Sequence, residues 1–182
     1  AASSGASLVG YLPSGTGAVA GTVQGKLRES VSVLDFGAVG DGVANDQPAF
    51  QLAFTAAQSA KKAIYIPSGT YILSTAGQNQ VLLTGMTNSI KIYGDGPSTI
   101  VKLGDDVCTT DFVCAFSLRS AAGVNVEFSD LTIDMNAANN PLLGGVATSL
   151  EHCHAIQILP EATDGFTNVV ARNIYIIDPV AD

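Results

Sequence analysis

The sequence has no tryptophan, two histidines, three cysteines, and charge on only 13% of its residues. Each shortage excludes something. Cys108, Cys114 and Cys153 are odd in number and lack a CxxC spacing, which argues against a disulfide framework or a zinc site and for buried thiols. Both histidines fall in Glu151-His152-Cys153-His154. Two imidazoles at i and i+2 share one strand face, but no second ligand pair exists elsewhere, so the segment reads as a loop rejoining a strand and no metal is expected. Eight Lys and Arg stand against sixteen Asp and Glu, a net charge of −8. That balance argues against nucleic acid and against anionic lipid. The basic residues are scattered along the chain, with no patch for an acidic polysaccharide. No apolar run approaches the ~20 residues that span a bilayer, so membrane insertion is not expected. The N-terminus lacks the basic region of a secretion signal, and folding in a cytosol-like environment is the expectation. Nothing calls for a cofactor.

Apolar residues are nevertheless 47% of the chain, enough for a sizeable core. Residues 1–30, rich in Ala, Ser, Gly and Thr, read as a neck: either a flexible linker or an extended arm that docks on a neighbour. Residues 31–62 form an entry strand, a double turn and a helix. In VSVLDFGAVGDGVANDQPAF the breaks at Gly37 and Gly40-Asp41-Gly42 are followed by Asn45, Asp46 and Pro48, the pattern of a helix start. Asp41 is expected as a turn former and Asp46 as a cap. Ala49, Phe50, Ala53, Phe54, Ala57 and Ala60 then repeat at helical spacing over 46–61, a rod of roughly 24 Å.

From residue 63 to 182 the period becomes two. Strands are expected at 63–67, 69–73, 89–93 and 99–103, short and β-branched. Two copies of a longer pattern follow. Ala115 to Leu118 aligns with Ala155 to Ile158 at an offset of 40, and Asn125 to Ile133 with Asn168 to Ile176 at an offset of 43. Each copy reads strand, turn, strand, tight bend, strand, with a Gly- and Asn-rich insertion from Asn136 to Cys153 between them. Consecutive coils of a β-solenoid account for this. An antiparallel sandwich is the rival, but it has no need of an initial helix, whereas a solenoid must cover its first coil.

Glycoside cleavage needs two carboxylates about 5–10 Å apart. Glu127 and Asp134 are the catalytic candidates, since parity turns both outward. The residues aligned with them one coil on are Val170 and Ile177, so no carboxylate ladder forms, and surface acids or turn formers account for Glu127, Asp130, Asp134, Glu151, Asp164 and Asp178. Binding candidates lie on the insertion, where functional residues gather: Asn139, Asn140, Glu151 and His152.

VSVLDFGAVGDGVANDQPAFQLAF resembles the entry segment of the pectate-lyase-like right-handed parallel β-helix superfamily. There the Asp-Phe-Gly-Ala-x-Gly-Asp-Gly stretch leads into an amphipathic helix that caps the solenoid. The preceding SLVGYLPSGTGAVAGTVQGKLRES resembles the neck of bacteriophage tailspikes. The resemblance implies an all-β, right-handed parallel β-helix with an N-terminal capping helix and an extended neck. It also implies a homotrimer attached through its arm to the virion baseplate or tail, assembled in the host cytoplasm, that binds and cleaves host surface polysaccharide. Non-catalytic virion proteins and free-standing pectinase-like enzymes share the entry motif. Asn45-Asp46-Gln47 replaces the usual acidic or hydroxylated pair before the helix, and Pro48 is unusual. The last strand-like run reaches Asp182 without a visible C-terminal cap, so the catalytic residues of a longer spike are expected beyond it.

Overall fold

The computed structural model describes residues 5–108, 113–140, 153–161, 163 and 165–177. Two short strands, β1 (Gly10–Tyr11) and β2 (Gly21–Thr22), pair antiparallel and lead into a one-turn helix, α1 (Val23–Leu27). Every later strand pairing is parallel. The chain runs through β3 (Ser30–Ser32), β4 (Asp41–Asn45), α2 (Gln47–Ala60), β5 (Ala63–Ile66), β6 (Gly69–Leu73), β7 (Val81–Met86), β8 (Ile90–Gly94), β9 (Thr99–Leu103), β10 (Val113–Ser120), β11 (Val124–Asp134), β12 (Cys153–Pro160) and β13 (Phe166–Ile177). Three rows result. The first stacks β3, β5, β8 and the opening halves of β11 and β13; the second stacks β4, β6, β9 and their closing halves. The third stacks β7, β10 and β12.

The chain thus climbs one rung of about 4.8 Å per turn and returns to each row in order. β11 and β13 serve two rows because each bends at a left-handed residue, Asp130 (φ 59°) and Asn173 (φ 50°). Those are the tight bends that the repeat predicts. The offsets are observed too: Phe116 pairs with Ile156, and Asn125 with Asn168. Parallel stacking rules out the sandwich.

Alternation fills the interior. Ile64, Ile92 and Phe128 stack in the first row, and Val101 and Ile133 in the second, all buried. An aromatic column crosses between rows: Phe50 meets Tyr71 at 5.3 Å between centroids, Phe54 meets Phe116 at 5.5 Å, and Phe116 meets Phe128 at 5.5 Å. Pairs at such spacings add about 0.5–1.5 kcal/mol beyond their area.

In the first turn α2 stands where the third row has strands above it. Its buried face carries Ala49, Phe50, Ala53, Phe54 and Ala57, the stripe read from the sequence. Its glutamines meet the outer edge of β7. Gln51 donates from Nε2 to the Leu82 carbonyl and accepts the Leu82 N–H at Oε1, both at 2.9 Å, while Gln47 Nε2 donates to the Gln80 carbonyl at 2.6 Å. Side-chain amides here copy the hydrogen bonds of a missing strand, which keeps an open parallel edge from pairing elsewhere.

Some expectations need correction. Asp46 does not cap α2. Its carboxylate, buried at 1% exposure, turns back to accept the N–H groups of Val39 (2.6 Å) and Gly40 (3.2 Å). Asn45 takes the capping role, accepting the Gln47 N–H at 3.1 Å. Asp41 is a turn former as expected, accepting the Val43 and Ala44 N–H groups at 2.8 Å, and these bonds hold its carboxyl below the usual range, Ala44 foremost. β7 is absent from the sequence reading. Cys108 and Cys114 are buried.

Candidate functional site

The outer face of the first row carries a row of outward polar and aromatic groups. Register places Lys91, Glu127 and Val170 side by side on successive rungs, and Ser32, Tyr65, Tyr93, Ser129 and Arg172 in the neighbouring column. Lys91 Nζ lies 3.3 Å from Glu127 Oε1, and the Arg172 guanidinium donates to the same oxygen. Arg172 first, and Lys91 after it, hold the Glu127 carboxyl below its ordinary value. One carboxylate therefore bridges two cations and stays ionised.

Aromatic surface adjoins this triad. The Tyr65 and Tyr93 rings stack at 5.2 Å, and Lys91 Nζ sits 5.5 Å from the Tyr93 ring centre. Tyr65 donates its hydroxyl to both Asp95 oxygens, at 2.9 and 2.8 Å, and that bond raises its pKa. Asp130 accepts from Asn173 Nδ2 at 2.8 Å, which keeps its carboxyl low.

Two clefts open on this face. One, of about 260 Å³, is lined by Lys91, Glu127, Ser129, Asp130, Arg172 and Asn173. The other, of about 320 Å³, runs across the strand starts past Lys61, Lys62, Ser89, Asn125 and Asn168. Lys91 and Glu127 border both, so the clefts are continuous. Four of the chain's eight basic residues line the two clefts. The sequence reading of scattered basic residues is thus corrected by stacking: Lys91, remote from them along the chain, shares one cleft with Lys61 and Lys62 and the other with Arg172. The signal was present in the repeat, because extending the alignment one coil earlier sets Lys91 beside Glu127 and Ser89 beside Asn125.

The expected site residues do not gather at one place. Glu127 lies in the clefts. Asp134 lies in the second row, beyond the bend at Asp130, bound to Lys102 at 3.1 Å and accepting the Asn136 N–H at 2.8 Å. Val170 and Ile177 stand beside them in register, as expected. Asn140 is buried, its amide wholly committed: Oδ1 accepts the Val107 and Cys108 N–H groups, and Nδ2 donates to the Gly104 and Asn136 carbonyls. Asn139 is exposed and donates to Asn136 Oδ1 at 3.1 Å. Glu151, His152, Asp164 and Asp178 lie outside the described residues.

Comparison with known proteins matches residues 30–158 to the family described as rhamnogalacturonase A/epimerase, pectate lyase-like. Among curated relatives, the mannuronan C5-epimerase AlgE1 of Azotobacter vinelandii is 38% identical over 112 residues, covering 58% of this chain and 8% of the relative. Alginate lyase 7 of the same organism is 36% identical over 113 residues, covering 59% of this chain and 13% of its own length. The chain therefore spans a small part of these proteins. Among solved structures, the A-module of the A. vinelandii mannuronan C-5 epimerase AlgE6 superposes with a TM-score of 0.57 at 26% identity, over 81% of this chain and 37% of that one. ORF18 of Geobacillus virus E2 shares the fold, with a TM-score of 0.51 at 23% identity over 75% of this chain and 25% of the other. By its stacked parallel coils and by the match across residues 30–158, this chain belongs to the rhamnogalacturonase A/epimerase family of pectate lyase-like proteins.

Proposed function

We propose that this chain is the N-terminal part of a bacteriophage tailspike that attaches to its host through surface polysaccharide, and that the whole spike degrades that polysaccharide as a hydrolase or lyase. In this reading the solenoid is right-handed, as parallel crossovers almost always are. Residues 1–30 form the neck that joins virion and spike, and α2 is the N-terminal cap. The spike is a homotrimer carried on the virion tail.

The observation that carries the polysaccharide reading is the family membership of residues 30–158, together with relatives that are named for acting on mannuronan and alginate. The glutamines that α2 lends to the edge of β7 support its role as a cap. The arm supports self-association, since Leu8, Leu12, Val19 and Leu27 are all more than two-thirds exposed. Large apolar side chains held in water on this folded-back arm gain by meeting a partner surface.

Two measurements test the reading. Light scattering on the intact chain is expected to give a species of three 18.6 kDa subunits; a monomer at every concentration counts against the spike. Incubation of the spike that carries this chain with bacterial surface polysaccharide is expected to release new reducing ends or unsaturated sugars. Binding without either product would favour a non-catalytic receptor-binding spike.

A further inference from the structure

We propose that the outer face of the first row is a binding strip for an anionic glycan, lying along the solenoid axis, whose acidic substituents are taken by Lys91 and Arg172. This rests on the polysaccharide reading above and names the class of sugar.

Charge comes first. On a chain of net −8, Lys61, Lys62 and Lys91 outnumber Glu127 in the strand-start cleft, while Lys91 and Arg172 balance Glu127 and Asp130 in the adjoining one. A local positive surplus on an acidic protein selects a polyanion at the strip and repels it elsewhere. Geometry comes second. The strip crosses the strand starts of four successive coils and spaces its groups on rungs about 4.8 Å apart, so it offers an elongated polymer a row of contacts rather than one closed pocket. Chemistry comes third. Asn125, Asn168, Asn173 and Ser89 supply hydroxyl and amide partners for sugar hydroxyls. The exposed edge of the Tyr65–Tyr93 stack supplies an apolar border beside the Lys91 ammonium.

Glu127 occupies both central cations, so an incoming anion must displace it or share them. Neutralising Glu127 is therefore expected to tighten binding. A role for Glu127 in holding the cations ready for the ligand would have the opposite sign.

The test is fluorescence anisotropy of the intact chain with labelled oligosaccharides from a panel of acidic and neutral glycans, including mannuronan and dextran. Acidic members are expected to bind, with affinity falling several-fold as salt rises from about 50 to about 500 mM. Lys91→Ala/Arg172→Ala should weaken them by about tenfold or more, equivalent to about 1.4 kcal/mol, and Glu127→Gln should tighten them. Asn168→Asp, an isosteric change at an exposed position, adds a negative charge and should weaken them without disturbing the fold. Lys26→Ala on the arm should leave binding unchanged. Equal binding of dextran and mannuronan, or indifference to both the double variant and Asn168→Asp, would overturn the strip while leaving the polysaccharide reading standing. Failure of every glycan in the panel would overturn that reading itself.

Discussion

Replacing Asn140 with alanine is expected to lower stability by about 3–5 kcal/mol, and the melting temperature by about 10 °C or more, without touching glycan binding directly. The physical reason is local. At 1% exposure the Asn140 amide takes two backbone N–H groups at 2.8 and 3.0 Å and gives to two carbonyls at 2.9 and 3.1 Å. Alanine leaves four backbone groups without these partners in a site closed to water, and an unsatisfied buried group costs about 1–3 kcal/mol. Asn140→Asp keeps the acceptor for the Val107 and Cys108 N–H groups but sets a buried carboxylate oxygen against the Gly104 and Asn136 carbonyls, so at neutral pH a loss at least as large as that of alanine is expected. Thermal unfolding followed by circular dichroism measures all three proteins. An alanine variant that melts with the parent and loses glycan affinity would return Asn140 to the role of a ligand contact.

The second large effect is expected at the entry turn. Gly40 has φ 70°, and a Cβ built there would lie 2.7 and 2.8 Å from Cε1 and Cζ of Tyr71. The ring has nowhere to go. Tyr71 is 1% exposed, packs against Phe50, and donates its hydroxyl to the Pro67 carbonyl at 3.0 Å. Its hydroxyl, pushed up to about 12 by burial first and by the Asp46 charge after it, stays protonated throughout the ordinary pH range and keeps donating. Gly40→Ala therefore combines left-handed strain with overpacking, for a loss of about 2–4 kcal/mol. Gly42 is the control. It has φ 76°, but the nearest atoms to its Cβ position are those of Thr70 at 3.6 Å. Gly42→Ala carries the strain alone, about 1 kcal/mol. Urea midpoints of the two variants read the difference; equal losses would show that the Tyr71 contact contributes nothing.

Gly40 also explains why the entry motif is legible. Its turn is held by Asp46 from one side and by Tyr71 from the other, so the spacing of glycine, aspartate and helix start is fixed by contacts within one turn of the solenoid. Offsets of 40 and 43 residues were legible for a related reason: stacking in register requires like residues above like, and Phe116 over Ile156 or Ile133 over Ile176 satisfies it. β7 was not legible. Val81 to Met86 carries Gly85 at φ 59° and only one β-branched core residue, and its outer edge is completed by glutamines 31 and 33 residues earlier. The role of Asp46 was misread because local rules assign a helix-start acid to the helix, whereas two N–H groups six and seven residues earlier claim it. The cationic strip was missed for the reason that makes it a strip: its members meet through the stacking of coils, and charge counted along the chain cannot show it.

Equilibrium binding of the intact chain to immobilised bacterial surface polysaccharides, read by surface plasmon resonance, is the most direct test that this coil stack engages glycans. The expected result is saturable binding to acidic members of the panel, reversed by salt and weakened by Lys91→Ala/Arg172→Ala. No saturable binding to any member, acidic or neutral, would contradict it.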